Sequence, residues 1–330
     1  MTGGRADEAR VRTVFLGSGG FGREGLRRLS GRDDTDLVGV VTAPARPAGR
    51  SQQLTTTPLA DTAAELGRTT ILTPARLRAP ESIAAVLALR PDLLVLADYG
   101  QIVPAALLGV PLGALNLHPS VLPRHRGSTP IPAAIMAGEA ETGVSLMRMD
   151  EGLDTGPIVD QERVALDGTE TTPALEALLE HVAAGLLDRN LGRWISGELE
   201  PRPQDDAGAT LTRPLRREDG RLDPRRTPIQ LERQVRAYQP WPGSFVDTPV
   251  GRIVVWSAGV VDGASANGTA GVDGSARPPR GSFDELGLGV SDGERLRLLE
   301  VQPAGGKRMT WDAFVRGRPS IVGARVQPGP

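Results

Sequence analysis

The chain has 330 residues, no cysteine and three histidines, with a net charge of −2. Without cysteine there are no disulfides, thiolate metal sites or cysteine nucleophiles, and His118, His125 and His181 are not spaced like zinc ligands. Lys307 is the one lysine among 38 basic residues, so Schiff-base chemistry has a single candidate.

A chain of this length holds two domains of about 100–200 residues each. Its longest uncharged run, Tyr99 to Pro123, is broken by Pro104, Pro111 and Pro119, so no membrane span is expected. The opening MTGGRADEAR lacks the basic-then-apolar pattern of a signal peptide; a cytoplasmic monomer is expected. Residues 1–203 carry 20 basic and 25 acidic groups, and residues 204–330 carry 18 and 15. On charge alone, scatter explains that asymmetry as well as a polyanion-binding half does.

In chain order, short apolar runs predict strands at Val11–Leu16, Asp36–Thr42, Leu93–Leu96, Ala114–His118 and Val144–Met149. Helical spacing lies between them at Phe21–Leu29, Leu59–Leu66, Ser82–Leu89 and Ile131–Ala137. A longer helix follows, with Leu175, Leu179, Val182 and Leu186 in register, Thr172 as cap and Gly197 as stop. Apolar strands alternating with helices predict a Rossmann-like α/β domain, a mostly parallel sheet with helices on both faces, over residues 1–203. The polar, Pro-containing stretch after Gly197 reads as a linker, placed at residues 204–212. Residues 213–330 show a helix at Ile229–Ala237, strands at Arg252–Trp256 and Leu296–Val301, and a hairpin turn at Ser291-Asp292-Gly293, which suggest a small antiparallel barrel. Val261 to Gly281 is Gly/Ala/Ser-rich and reads as a mobile loop.

Gly17-Ser18-Gly19-Gly20-Phe21-Gly22 matches the dinucleotide-binding G-x-G-x-x-G between a strand and a helix. The acidic residue expected to close the second strand is missing, since that strand ends Val41-Thr42-Ala43-Pro44. A tight structural turn is therefore the better reading.

Two segments carry chemistry. In LNLHPSVLPRHRG, Leu115 to Gly127, strand alternation puts Asn116 and His118 on one face, and Pro119 ends the strand. The pair thus sits at a strand's carboxyl end, where open α/β sheets bind ligands. In LMRMDEGLDTGPIV, Leu146 to Val159, Asp154 lies in a loop bracketed by Gly152 and Gly156. An amide, an imidazole and a carboxylate make an acyl-transfer set without a protein nucleophile: Asn116 stabilises an oxyanion, His118 moves a proton near neutral pH or donates to the oxyanion when charged, and Asp154 orients the imidazole and favours its charged form. Taken singly, His118 reads as a structural histidine and Asp154 as a turn carboxylate; their joint placement favours chemistry.

These two segments resemble the folate-dependent formyltransferases, and within them the branch that formylates methionine on initiator tRNA. The resemblance covers nearly the whole chain. It implies a catalytic trio of Asn116, His118 and Asp154, a folate-contacting segment at Ser120, Val121, Leu122 and Pro123, and a second pocket element at Tyr99, Gln101, Ile102 and Val103. It also implies 10-formyltetrahydrofolate as formyl donor, no metal, and a C-terminal OB-like tRNA-binding domain over 213–330. Arg46-Pro47-Ala48-Gly49-Arg50 is similar to a loop of the tRNA branch, implicating Arg46 and Arg50 at the acceptor end. Gln302-Pro303-Ala304-Gly305-Gly306-Lys307-Arg308-Met309 resembles that branch's closing element, implicating Lys307 and Arg308. Departures from the family pattern include Asp98 where alanine is usual and His125 where tryptophan is. A formyltransferase for a small amine such as an amino-sugar nucleotide, an NAD enzyme and a non-catalytic RNA-binding protein are the other readings. The arginine loop argues against the first and the intact trio against the last.

Overall fold

The computed structural model describes residues 10–48, 53–67, 69–260 and 278–327. Arg50 and most of the Gly/Ala/Ser-rich stretch lie outside the described residues. The chain divides into two units. The first takes in the described residues up to Pro130, then Glu141–Ala165 and Glu176–Arg213; the second takes in Ile131–Ala140, Leu166–Leu175 and the described residues from Pro214 on.

The elements run β1 Val11–Leu16, α1 Arg23–Ser30, β2 Thr35–Val41, β3 Arg46–Ala48, β4 Gln53–Thr55, α2 Pro58–Leu66, β5 Thr70–Leu72, α3 Pro80–Ala88, β6 Leu93–Ala97 and α4 Ala105–Leu108. They continue with β7 Ala114–His118, β8 Arg126–Gly127, α5 Pro130–Ala137, β9 Glu141–Arg148, β10 Ile158–Ala165 and α6 Thr172–Ile195. Seven strands form one sheet in the order β10-β9-β7-β6-β1-β2-β5. From β7 to β5 every pairing is parallel; β9 runs antiparallel to both β7 and β10. The central strands are apolar on both faces because both are covered. Val14, Leu16, Leu94 and Leu96 pack with Val86 of α3 and Leu107 of α4. On the opposite face, Gly25 of α1 sits beside Phe15, Leu117 and Leu187 of α6.

The β1–α1 turn settles the dinucleotide motif. A Cβ on Gly17 would stand 2.5 Å from the Ala97 carbonyl oxygen, so this glycine serves close backbone approach, and one on Gly19 would meet the Asp98 carboxylate. The N-terminus of α1 already has its anion: Glu180 Oε1 of α6 accepts from the Glu24 amide at 3.0 Å, and Arg23 lies 3.4 Å from Glu180 Oε2. A carboxylate thus occupies the place where a bound pyrophosphate would meet the helix. Thr172, expected as the cap of α6, instead lies inside its first turn, where Leu175 N donates to Thr171 O at 2.9 Å and Thr172 Oγ1 donates to Ala237 O.

The second unit is built on α7 Pro228–Ala237, β12 Ser244–Thr248, β13 Gly251–Val260, β14 Gly287–Gly289, β15 Arg295–Pro303, β16 Met309–Thr310 and α8 Trp311–Gly317; β11 Leu211–Thr212 precedes it, in the first unit. Thr227 and Gln230 cap α7 reciprocally, with Pro228 in its first turn. The strands form a five-stranded antiparallel sheet, β12-β13-β15-β14 with β16 on β15, and Ser291–Gly293 makes the expected turn between β14 and β15. Leu231 and Val235 of α7 pack on Ile253, Val255, Leu296 and Val301, and Trp311 stacks on Phe314 at 5.5 Å between ring centroids.

Candidate active site

β7 carries the first two site residues. Leu115 and Leu117 are fully buried in packing, which turns Asn116 and His118 together to the other face. No hydrogen bond among the described residues engages the Asn116 side chain, and it is half-buried. His118 is 4% exposed. Its Nε2 lies 2.9 Å from the His125 carbonyl; a carbonyl only accepts, so Nε2 carries the hydrogen. Nδ1 faces Asp154 Oδ2 at 3.7 Å. The same carboxylate oxygen accepts from the Gly127 amide at 2.7 Å.

Burial pushes the His118 imidazole below its ordinary pKa, against the opposing pull of the Asp154 charge and the His125 carbonyl. At 3.7 Å the Asp154 carboxylate opposes this desolvation without outweighing it.

The other expected residues are placed differently from one another. Ser120 to Pro123 form a loop pinned from behind: Ser145 Oγ donates to Ser120 O at 2.7 Å and accepts from Leu122 N at 3.0 Å, while Gln161 Nε2 donates to Leu122 O at 2.9 Å. Leu122 packs on Met147 and Ile158. Tyr99 has a buried hydroxyl with no hydrogen-bond partner, and burial pushes its phenol up to about 12. Gln101 spends its side chain on the preceding loop, accepting from Leu77 N at 2.7 Å and donating to Pro74 O at 3.2 Å. Val103 is in the core, whereas Ile102 is 70% exposed. Arg46 opens a two-stranded hairpin, β3 with β4. In the second unit, the Arg308 guanidinium lies 3.9 Å over the Trp256 ring and 4.0 Å from Glu300. Among the described residues no group of three or more His, Asp or Glu side chains is arranged to hold a metal, and no helix is long and apolar enough to cross a membrane.

Residues 11–190 match the family described as formyl transferase, and residues 214–319 match its C-terminal domain. The chain belongs to the formyltransferase family. A relative from Chloroflexus aurantiacus, named methionyl-tRNA formyltransferase, is 41% identical over 312 residues, which are 93% of this chain and 97% of that one. A relative of the same name from a Roseiflexus species is 39% identical over 320 residues, 96% and 95% of the two chains. Among solved structures, an N-formyltransferase from Helicobacter canadensis in complex with folinic acid and dTDP-3-aminofucose has a TM-score of 0.61 at 17% identity, covering 87% of this chain and 98% of that one; that likeness shows the fold alone.

This formyltransferase also uses residues that the sequence reading passed over. The polar stretch expected as a linker is held on the first unit: Ile158 and Arg202 exchange backbone hydrogen bonds, and β11 pairs in parallel with β8. Thr210 accepts from His125 N through its hydroxyl at 2.8 Å and from Arg126 N through its carbonyl at 2.9 Å. Gln204 reaches the Asp154 loop. Arg126-Gly127 was visible as the end of the first segment, but nothing in the sequence marks Gln204, whose partners lie 48–78 residues away.

Proposed function

We propose that the protein transfers the formyl group of 10-formyltetrahydrofolate to the α-amine of methionine esterified to initiator tRNA. The observation that carries this reading is the joint placement of Asn116, His118 and Asp154 at the carboxyl end of β7, with the Asn116 amide uncommitted and His118 within reach of one carboxylate. Two relatives named methionyl-tRNA formyltransferase, similar over almost the full length, support the substrate.

The donor supplies an activated formyl carbon. The amine nitrogen attacks that carbon, and the Asn116 amide donates to the oxyanion that develops. Neutral His118 takes the proton that the amine loses, and Asp154 stabilises the imidazolium formed. The proton passes to N10 as the C–N10 bond breaks, leaving tetrahydrofolate and the formylated amine. The loop of Ser120, Val121, Leu122 and Pro123 and the Tyr99–Val103 element bind the folate. The orphaned Tyr99 hydroxyl and the exposed Ile102 are free to meet a ligand, while Gln101 and Val103 shape the pocket from behind. Arg46, Arg50, Lys307 and Arg308 contact tRNA phosphates, and the protein works in the cytoplasm as a monomer.

The deciding experiment offers labelled formyl donor with charged initiator tRNA or with an amino-sugar nucleotide. Label is expected on the tRNA; label on the nucleotide alone would overturn the reading.

A further inference from the structure

His125, Arg126 and Gly127 form one short frame for the site. The His125 carbonyl holds His118, and the Gly127 amide holds the Asp154 carboxylate. Between them the Arg126 side chain, 7% exposed, turns to Gln204: Nε and Nη2 donate to Gln204 Oε1 at 3.0 and 2.8 Å, and Nη2 also meets Asp206 Oδ1 at 2.7 Å. Gln204 Nε2 then donates to the carbonyls of Asp154 and Gly156 at 2.8 and 2.7 Å. Both N–H groups and both lone pairs of the Gln204 amide are thereby used. Those two carbonyls belong to a loop in which Asp154 adopts φ +53°, a left-handed conformation uncommon outside glycine that aspartate enters more readily than most residues.

We propose that Gln204 is a positioning residue: by donating to the Asp154 and Gly156 carbonyls it keeps the Asp154 carboxylate at the His118 imidazole. The inference rests on the roles given to His118 and Asp154 above. An amide is suited to the task because it donates on one side and accepts on the other. A glutamate at this position keeps Arg126 but sets a carboxylate against two carbonyls, and a methionine keeps the length with neither capacity.

Gln204→Glu and Gln204→Met therefore separate positioning from bulk. Each is expected to lower kcat about 10–100-fold while KM for donor and charged tRNA stays within about threefold, as for a misplacement of about 1 Å at the reacting groups. Gln204→Glu retains its Arg126 partner and is expected to fold, which urea unfolding checks. A second readout needs no substrate. The chain has three histidines, so NMR titration resolves His118 in Gln204→Met. With Asp154 displaced, the imidazole loses a neighbouring negative charge, and its titration moves to lower pH. Wild-type kcat in Gln204→Glu, or an unmoved His118 titration in Gln204→Met, overturns the proposal. A wild-type protein that formylates no charged tRNA would instead sink the functional reading and leave the titration result to judge Gln204.

Discussion

Asn116 and His118 stand two residues apart on one strand and divide the chemistry between them. Asn116 has nothing to do in the resting protein, so its replacement removes a donor without leaving a broken contact. Asn116→Ala is expected to lower kcat by about 10²–10³-fold with an unchanged unfolding midpoint, measured in single-turnover formylation and urea titration. His118 has the opposite character, since its burial has an energetic signature in the absence of substrate. Its folded pKa lies below the ordinary 6.5, so the folded state binds fewer protons than the unfolded one as pH falls. The stability contributed by the neutral form is fully present above 6.5 and is lost as pH drops through the lower folded value. His118→Gln should therefore flatten the decline of the unfolding midpoint on acidification below about pH 6.5, and a decline as steep as in wild type would contradict the neutral assignment.

At the scale of elements, the end of β6 and the β1–α1 turn meet at Gly17 with Ala97 and at Gly19 with Asp98. Although Asp98 is exposed as a residue, its carboxyl group lies against Gly19, and desolvation raises its pKa. Gly19→Ala should lower the urea midpoint, and the same change in an Asp98→Ala background should cost much less; additive effects would exclude this coupling. The pair also shows what sequence alone conveys. β1 and β7 were legible to the residue because continuous apolar runs bounded by polar residues or proline admit few alternatives. β5, three residues at a sheet edge, is too short to show a period, and β10 mixes Ile158 and Val159 with Asp160, Glu162 and Arg163. The same limit applies at the site. Position marked Asn116, His118 and Asp154, whereas the lowered pKa of His118 arises from tertiary burial, and the role of the stretch after Gly197 arises from contacts far apart in sequence.

On the scale of the whole molecule, the two family matches end at residue 190 and resume at residue 214, and the segment holding the 125–127 frame falls between them. Asn116, His118 and Asp154 all precede it, by 50 residues or more in the case of Gln204. A fragment ending at Pro203 keeps the trio and lacks Gln204, Asp206, Thr210 and Thr212; one ending at Arg213 has them all. Hydrogen exchange at the amides of His125 and Arg126 is expected to be fast in the shorter fragment and protected in the longer, because Thr210 accepts from both. Chains are synthesised from the amino end at about 5–20 residues per second, and domains fold as they emerge. The trio therefore leaves the ribosome seconds before its frame is complete, and a nascent chain of this protein carries every reacting side chain while its active site is still unassembled.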